Sequence, residues 1–364
     1  MRLACVVAVA ACSSTPAHAP APARTSPLGA VARWQIRSEE IVLTVGGREV
    51  PGTITAPLGE GPFPAVLVLA GSGPTDRDWN SPLLPTKNGS ARLLADRLAH
   101  HGAVVLRFDK AGSGKNPGPP PAQWTLDSYR EEGLAALAAL RARKDVRRDR
   151  IFVAGHSEGG IHATRLIAAA PDVAGVLYLA SAVRSMADTL LNQLDQQLHN
   201  PLAGLAEDQI QRELASIRGA LAAFFAGKAV DPTTASTIPA IQHLFAGLVA
   251  PATANLLRTL LAFDNSVEAP KLAVPSLVVN GGKDIQIDPA LDAARLAQAL
   301  RSANRDVTLV IVPDADHVLK HETRTVAELR ADLGSVQQRY NADDRTLDDA
   351  LVKAIVDWLV VHAR

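Results

Sequence analysis

The chain has 364 residues and sets 37 Lys and Arg against 37 Asp and Glu, so its formal net charge is zero. That balance gives no footing for nucleic acid or another polyanion as a partner. At 47% hydrophobic, 20% charged and only 4% aromatic, the length suits one large α/β domain or a core domain with an insertion, with Ala and Leu filling the core.

Residues 1–12 read as a bacterial export signal. Arg2 supplies the positive charge, and Leu3 to Ala11 form an apolar run too short to span a bilayer. Val9-Ala10-Ala11-Cys12 has the form of a lipobox, in which Cys12 becomes the lipidated first residue and tethers the protein to a membrane. Cleavage after Ala17-His18-Ala19 is the alternative, and a misassigned start with no export is another. The expected location is therefore the bacterial cell envelope. Residues 13–33, rich in Ala, Pro, Ser and Thr, are expected to be a disordered tether. Cys5 and Cys12 are the only cysteines, so the folded part can hold no internal disulfide.

Next come two strands, Ile41 to Val45 and Glu49 to Thr55, joined as a hairpin by Gly46-Gly47. Ala65 to Ala70 reads as a buried strand, Ala91 to His101 as a helix, and Ala103 to Phe108 as the next buried strand. A helix over Leu126 to Arg143 follows, then a strand over Ile151 to Ala154, a helix over Ile161 to Ala170, and a strand over Gly175 to Ala180. The interval 183–269 breaks this rhythm with helical segments at Asp188 to Leu198, Asp208 to Phe225 and Ile238 to Phe263, punctuated by Pro201, Pro232 and Pro251. It is expected to be a helical cap over the strand ends, with a peripheral helical decoration as the alternative. The alternation resumes with a strand at Pro275 to Asn280, a helix from about Pro289 to Leu300, a strand at Val307 to Val312, and a last helix from about Leu347 to Val361. Buried strands alternating with helices imply a mostly parallel sheet covered on both faces, with the N-terminal hairpin adding antiparallel edge strands. Residues 34–182 and 270–364 form the expected α/β core.

Within that frame, Gly155-His156-Ser157-Glu158-Gly159 matches Gly-x-Ser-x-Gly between a strand and a helix. That is the context of a nucleophile elbow, which holds a serine hydroxyl exposed above a sheet. A serine hydroxyl needs a base, and an imidazole needs a carboxylate to fix its tautomer. The expected chain order is Ser, acid, His. Asp284 follows the strand and turn ending Asn280-Gly281-Gly282-Lys283, with Asp288 and Asp264 as rival acids and a plain turn as the bland alternative. His317 follows the strand over Val307 to Val312, with His321 as its rival. The oxyanion needs two donors. These are the backbone N–H groups of Glu158 and of Ser72, the latter in the turn Ala70-Gly71-Ser72-Gly73-Pro74, which could also be only a flexible turn. Thr75-Asp76-Arg77-Asp78 and Arg107-Phe108-Asp109-Lys110-Ala111-Gly112-Ser113-Gly114 read as loop braces through Asp–Arg pairs. The glycine spacing of the second stretch does not fit a phosphate-binding loop. The Glu158 carboxylate either braces the elbow or recognises a substrate cation. His156, His162, His100 and His101 read as packing or surface residues. No metal cluster and no cofactor site emerges; the His317/His321 pair is better explained as part of a triad.

Together these motifs resemble the α/β-hydrolase superfamily, in particular its serine aminopeptidase-like and feruloyl-esterase-like branch. The resemblance covers roughly residues 38–364 and is least diagnostic in the cap. It implies Ser157 as nucleophile, His317 as base, Asp284 as acid, and Ser72 and Glu158 as oxyanion donors. Ala70-Gly71 stands where many relatives have His-Gly. The implied activity is cofactor-free hydrolysis of a small-molecule carboxylic ester through an acyl-enzyme. A peptidase removing an N-terminal residue, a thioesterase, and a non-catalytic envelope lipoprotein are the alternatives. The Ala/Leu-rich cap leads to the expectation of a largely apolar acyl or aryl pocket.

Overall fold

A computed structural model describes residues 28–120, 123–303, 305–342 and 344–364. The export signal, Cys12 and most of the expected tether lie outside the described residues. The last residues of that tether are not loose. Leu28 is buried in the core, and the Gly29 N–H donates to the His101 carbonyl at 3.0 Å. An apolar side chain and a backbone pair thus dock the segment from Leu28 onward.

Eight strands form one sheet in the order β1-β2-β4-β3-β5-β6-β7-β8. β1 (Ile36–Val45) and β2 (Arg48–Pro57) are antiparallel, and β2 runs antiparallel to β4. All other pairs are parallel: β3 (Phe63–Leu69), β4 (Val104–Phe108), β5 (Val146–His156), β6 (Gly175–Leu179), β7 (Ser276–Gly281) and β8 (Val307–Val312). Gly46 and Gly47, at φ 55° and 78°, make the tight hairpin turn that only left-handed residues allow without strain. β3, β4, β6 and β7 are buried along their whole length, which is why they read as unbroken apolar runs.

Two apolar clusters form on the sheet. One gathers residues of α2 (Leu126–Ala142), α3 (Gly159–Ala169) and α10 (Ala294–Ser302). The other gathers residues of α1 (Ser90–His100) and α13 (Asp349–His362). The sheet is therefore sandwiched, with its parallel strand ends pointing to one edge.

Between β6 and β7 the described chain is helical: α4 (Met186–Leu198), α5 (Glu207–Phe225), the short α6 (Pro232–Ala235), α7 (Pro239–Val249), α8 (Ala254–Ala262) and the short α9 (Asn265–Glu268). The helix expected over Ile238 to Phe263 is two helices bent by 103°. Pro251 cannot continue a helix and pushes Ala250 to an extended ψ of 129°. These helices build a small core of their own around Leu214, Ile217, Phe224 and Phe245. Two helices after β8 were not foreseen, α11 (Val326–Ala331) and α12 (Leu333–Tyr340). The first is signalled by Thr325 and Glu328, which form a capping box, and the second by Asp332, which accepts the Ser335 N–H.

Candidate active site

β5 delivers Ser157 into a sharp turn. Its φ is 53°, a left-handed conformation that costs a non-glycine residue about 1–2 kcal/mol. The turn closes only because its glycines lack side chains. A Cβ on Gly155 would lie 2.2 Å from the Gly159 carbonyl oxygen, and one on Gly159 would lie 2.7 Å from that of Leu69. Backbone bonds fix the rest: the Ser157 N–H donates to the Leu179 carbonyl at 3.0 Å, and the Ser181 hydroxyl donates to the Ser157 carbonyl at 3.0 Å. α3 starts directly behind the serine.

The loops after β7 and β8 bring Asp284 and His317 together. His317 Nδ1 donates to Asp284 Oδ2 at 3.0 Å, and both residues are buried. The other Asp284 oxygen accepts the backbone N–H groups of Gln286 and Ile287, each at 2.9 Å. The carboxylate is thereby aimed at the ring. Burial pulls the His317 pKa down, but the Asp284 charge and hydrogen bond outweigh it and leave the imidazole above its ordinary value, with Asp316 adding to the rise. Among the described residues, Ser157 Oγ makes no hydrogen bond to His317 in this conformation. Such bonds are often long in unliganded sites and tighten in the Michaelis complex.

The rivals are occupied elsewhere. Asp288 and Asp264 accept backbone N–H groups at the starts of their own helical turns. His321 is bound to Asp348. His100 and His101 bond backbone carbonyls of Trp34 and Gly29. His156 does more than pack. Its ring stacks on Trp79 with centroids 4.1 Å apart, and its Nε2 donates to the His317 carbonyl at 2.8 Å. Burial pushes its pKa down to about 3, helped by the neighbouring His317 charge, so it stays neutral. It ties the elbow to the loop that carries His317, a link with no sequence signal beyond adjacency to Ser157.

The turn after β3 reaches the serine. A Cβ on Gly71 would lie 3.1 Å from Ser157 Cβ. Among the described residues, neither the Ser72 nor the Glu158 N–H donates to a protein acceptor. The loop beyond this turn is braced as its charges predict. Arg77 grips Asp109 through Nε at 3.1 Å and Nη2 at 3.0 Å, and Arg107 pairs with Asp78. The Glu158 carboxylate is buried. Its Oε1 accepts from His162 Nε2 at 3.0 Å and lies 3.9 Å from Lys110 Nζ. Burial raises its pKa, but Lys110 and His162 reverse that and hold it below the usual carboxylate range.

The apolar side chains of the helical insertion mostly face one another. Leu256 and Leu260 of α8 are exceptions, packing on Ile161 of α3, four residues past Ser157. A cleft of about 550 Å³ between the insertion and α10 is polar, lined by Arg184, Asp188, Asp195, Arg218, Asp264 and Arg295 among others. Neither Ser157, Asp284 nor His317 lines this cleft, so its polarity does not bear on the apolar acyl pocket expected beneath the insertion. The two ends of the insertion are anchored: the Val183 carbonyl accepts the Ser266 N–H at 3.1 Å, and Asp292 accepts from the Val183 N–H and, bidentately, from Arg184.

A model of the alpha/beta hydrolase family matches residues 66–330, from β3 to α11. The chain belongs to that family. The hydrolase is 27% identical over 322 residues to Esterase EstD of Thermotoga maritima, a match covering 88% of this chain and 68% of that protein. Its fold is shared by the proline iminopeptidase of Mycobacterium smegmatis, with a TM-score of 0.52, 18% identity, and coverage of 90% of this chain and 100% of that one. Brefeldin A esterase, a bacterial homologue of human hormone sensitive lipase, aligns at a TM-score of 0.50 and 16% identity over 92% of this hydrolase and 79% of its own chain. The hydrolase is thus esterase-like by sequence.

Proposed function

We propose that the protein is a serine hydrolase that cleaves carboxylic esters through an acyl-enzyme. The observation that carries this reading is the buried Asp284–His317 hydrogen bond at 3.0 Å, made by loops at the same sheet edge as the left-handed Ser157. Ser157 Oγ attacks the acyl carbonyl while His317 Nε2 takes its proton. The negative oxygen sits between the Ser72 and Glu158 N–H groups. The tetrahedral intermediate collapses, and His317 returns the proton to the departing alcohol. Water then attacks the acyl-serine, giving its proton to His317, and the acid leaves as Ser157 is restored. Asp284 keeps the ring in the Nδ1–H tautomer and stabilises the imidazolium.

The likeness to an esterase supports the substrate class. The buried bonds of Glu158 count against the peptidase alternative, because its carboxylate faces Lys110 and His162 instead of an open ammonium site. Residues 183–269 serve in this reading as a cap, with α8 against α3 on the serine side. We extend the proposal to the cell envelope on the strength of Val9-Ala10-Ala11-Cys12 alone, and mass spectrometry of the mature N-terminus checks it.

A fluorophosphonate probe tests the nucleophile. Wild-type protein is expected to label at Ser157 and to hydrolyse p-nitrophenyl esters faster than aminoacyl-nitroanilides. Ser157→Ala should abolish labelling and lower kcat by roughly 10⁴-fold or more. Folded wild-type protein that neither labels nor turns over any ester overturns the reading.

A further inference from the structure

One buried cation has no part in the mechanism above. Lys110, two residues past the end of β4, is 6% exposed. An ammonium is retained in so dry a place only where its charge and its donors are met. Lys110 Nζ donates to the Gly73 carbonyl at 2.7 Å, lies 3.9 Å from Glu158 Oε1, and sits 5.4 Å from the centre of the Tyr129 ring. The fully buried carboxylate of Glu132 lies in the same pocket of charge.

These contacts join the two halves of the oxyanion hole. Gly73 directly follows Ser72, which carries one donor. Glu158 carries the other donor on its backbone and holds Lys110 with its side chain. The turn needs such a tie. Gly73 is left-handed at φ 70°, and Pro74 has no N–H to give. Among the described residues, Ala70 to Thr75 make no backbone–backbone hydrogen bond with one another. Two side chains hold it instead: Thr75 Oγ1 donates to the Ser72 carbonyl at 2.6 Å, and Lys110 takes the next carbonyl. Farther along the loop, the Arg77 N–H donates to Asp109, the neighbour of Lys110, at 2.9 Å. Asp109 and Lys110 therefore pin the loop at two points four residues apart.

We propose that Lys110 is a positioning residue that sets the Ser72 and Glu158 N–H groups at a fixed separation, by bonding the turn on one side and pairing with the elbow on the other. This rests on the acyl-enzyme reading. The Lys110–Glu158 pair acts on the transition state, where negative charge develops on the carbonyl oxygen, and leaves ground-state binding nearly unchanged. It also commits the Glu158 carboxylate to the scaffold.

The test compares Lys110→Met with wild type in the full chain, measuring kcat and KM for p-nitrophenyl acetate and the affinity for a trifluoromethyl ketone. Lys110→Met is expected to lose about 100-fold in kcat, the scale of one lost oxyanion donor. KM should stay within about threefold while the ketone, which mimics the tetrahedral adduct, loses affinity in step with kcat/KM. A folded Lys110→Met enzyme with wild-type kcat, or one in which KM carries the loss, overturns the proposal. If Lys110→Met does not fold, Glu158→Gln keeps the backbone donor and removes the charge. It should lower kcat about tenfold at constant KM, and an unchanged kcat overturns the proposal. Equal activity of wild type and Ser157→Ala overturns the acyl-enzyme reading and this one with it. An active wild type, an inactive Ser157→Ala and an unaffected Lys110→Met overturn this one alone.

Discussion

The sheet and the helical insertion spend the same apolar residues in different ways. In β3, β6 and β7 every residue is buried, and the loops at their ends inherit that rigidity. In α4 only Thr189, Leu194 and Leu198 are buried along 13 residues, and α7 buries only Ile241, Phe245 and Leu248. A region with fewer buried contacts opens at lower free energy. The difference separates two tasks. The sheet edge carries Ser157 and the Asp284–His317 pair of the proposed triad, while the insertion, more loosely packed inside, touches α3 through Leu256 and Leu260.

Substitutions should split along that line. The largest effect belongs to the sheet edge: Asp284→Asn is expected to cut kcat by about 10⁴-fold with little change in KM, because the ring loses its tautomer control. Steady-state kinetics on an ester reads this directly, and a loss below tenfold would mean that another carboxylate serves His317. At the root of the insertion, Asp292→Ala removes the partner of Arg184 and of the Val183 N–H. It should destabilise the protein by about 3 kcal/mol, since it strands a partly buried guanidinium. Hydrogen exchange should rise first in residues 183–269 and leave β3 and β5 protected; uniform loss across both regions would mean that sheet and insertion open as one unit. A subtler effect concerns pH. In the proposed mechanism His317 takes a proton only when neutral, and Asp284 holds its pKa above the ordinary 6.5. Activity should therefore appear as pH rises through a midpoint above about 6.5. In Asp284→Asn the residual activity should show a lower midpoint. A wild-type acid limb centred below 6 contradicts that sign.

Much of the candidate site's placement was legible in the sequence, and the reason is local. Gly155 and Gly159 are required by contacts within the elbow itself, so the five-residue pattern carries its own geometry. Asp284 and His317 each follow a strand whose apolar run marks its end, and strand ends gather at one sheet edge. Asp264 and Asp288 could not be excluded in advance, because capping a helical turn and orienting a histidine use the same carboxylate. The fold was legible where burial is continuous and less so where it is shared among helices. Pro251 marked the break, but a proline fixes only where a helix stops and not the 103° angle between α7 and α8. The roles of Lys110 and His156 depend on contacts reaching 37 residues (Gly73) and 161 residues (His317) along the chain, and no local pattern encodes them.

The left-handed backbone of Ser157 makes the site readable by calorimetry, with no substrate at all. Glycine adopts that φ without strain, so Ser157→Gly should relieve about 1 kcal/mol and raise the melting temperature by about one to two degrees for a chain of this size. Ser157→Ala keeps a Cβ and should give no such gain. A protein that melts later once its nucleophile is removed would show that the fold stores strain where the hydroxyl must project, and that thermal stability and reactivity are set against each other at one dihedral angle.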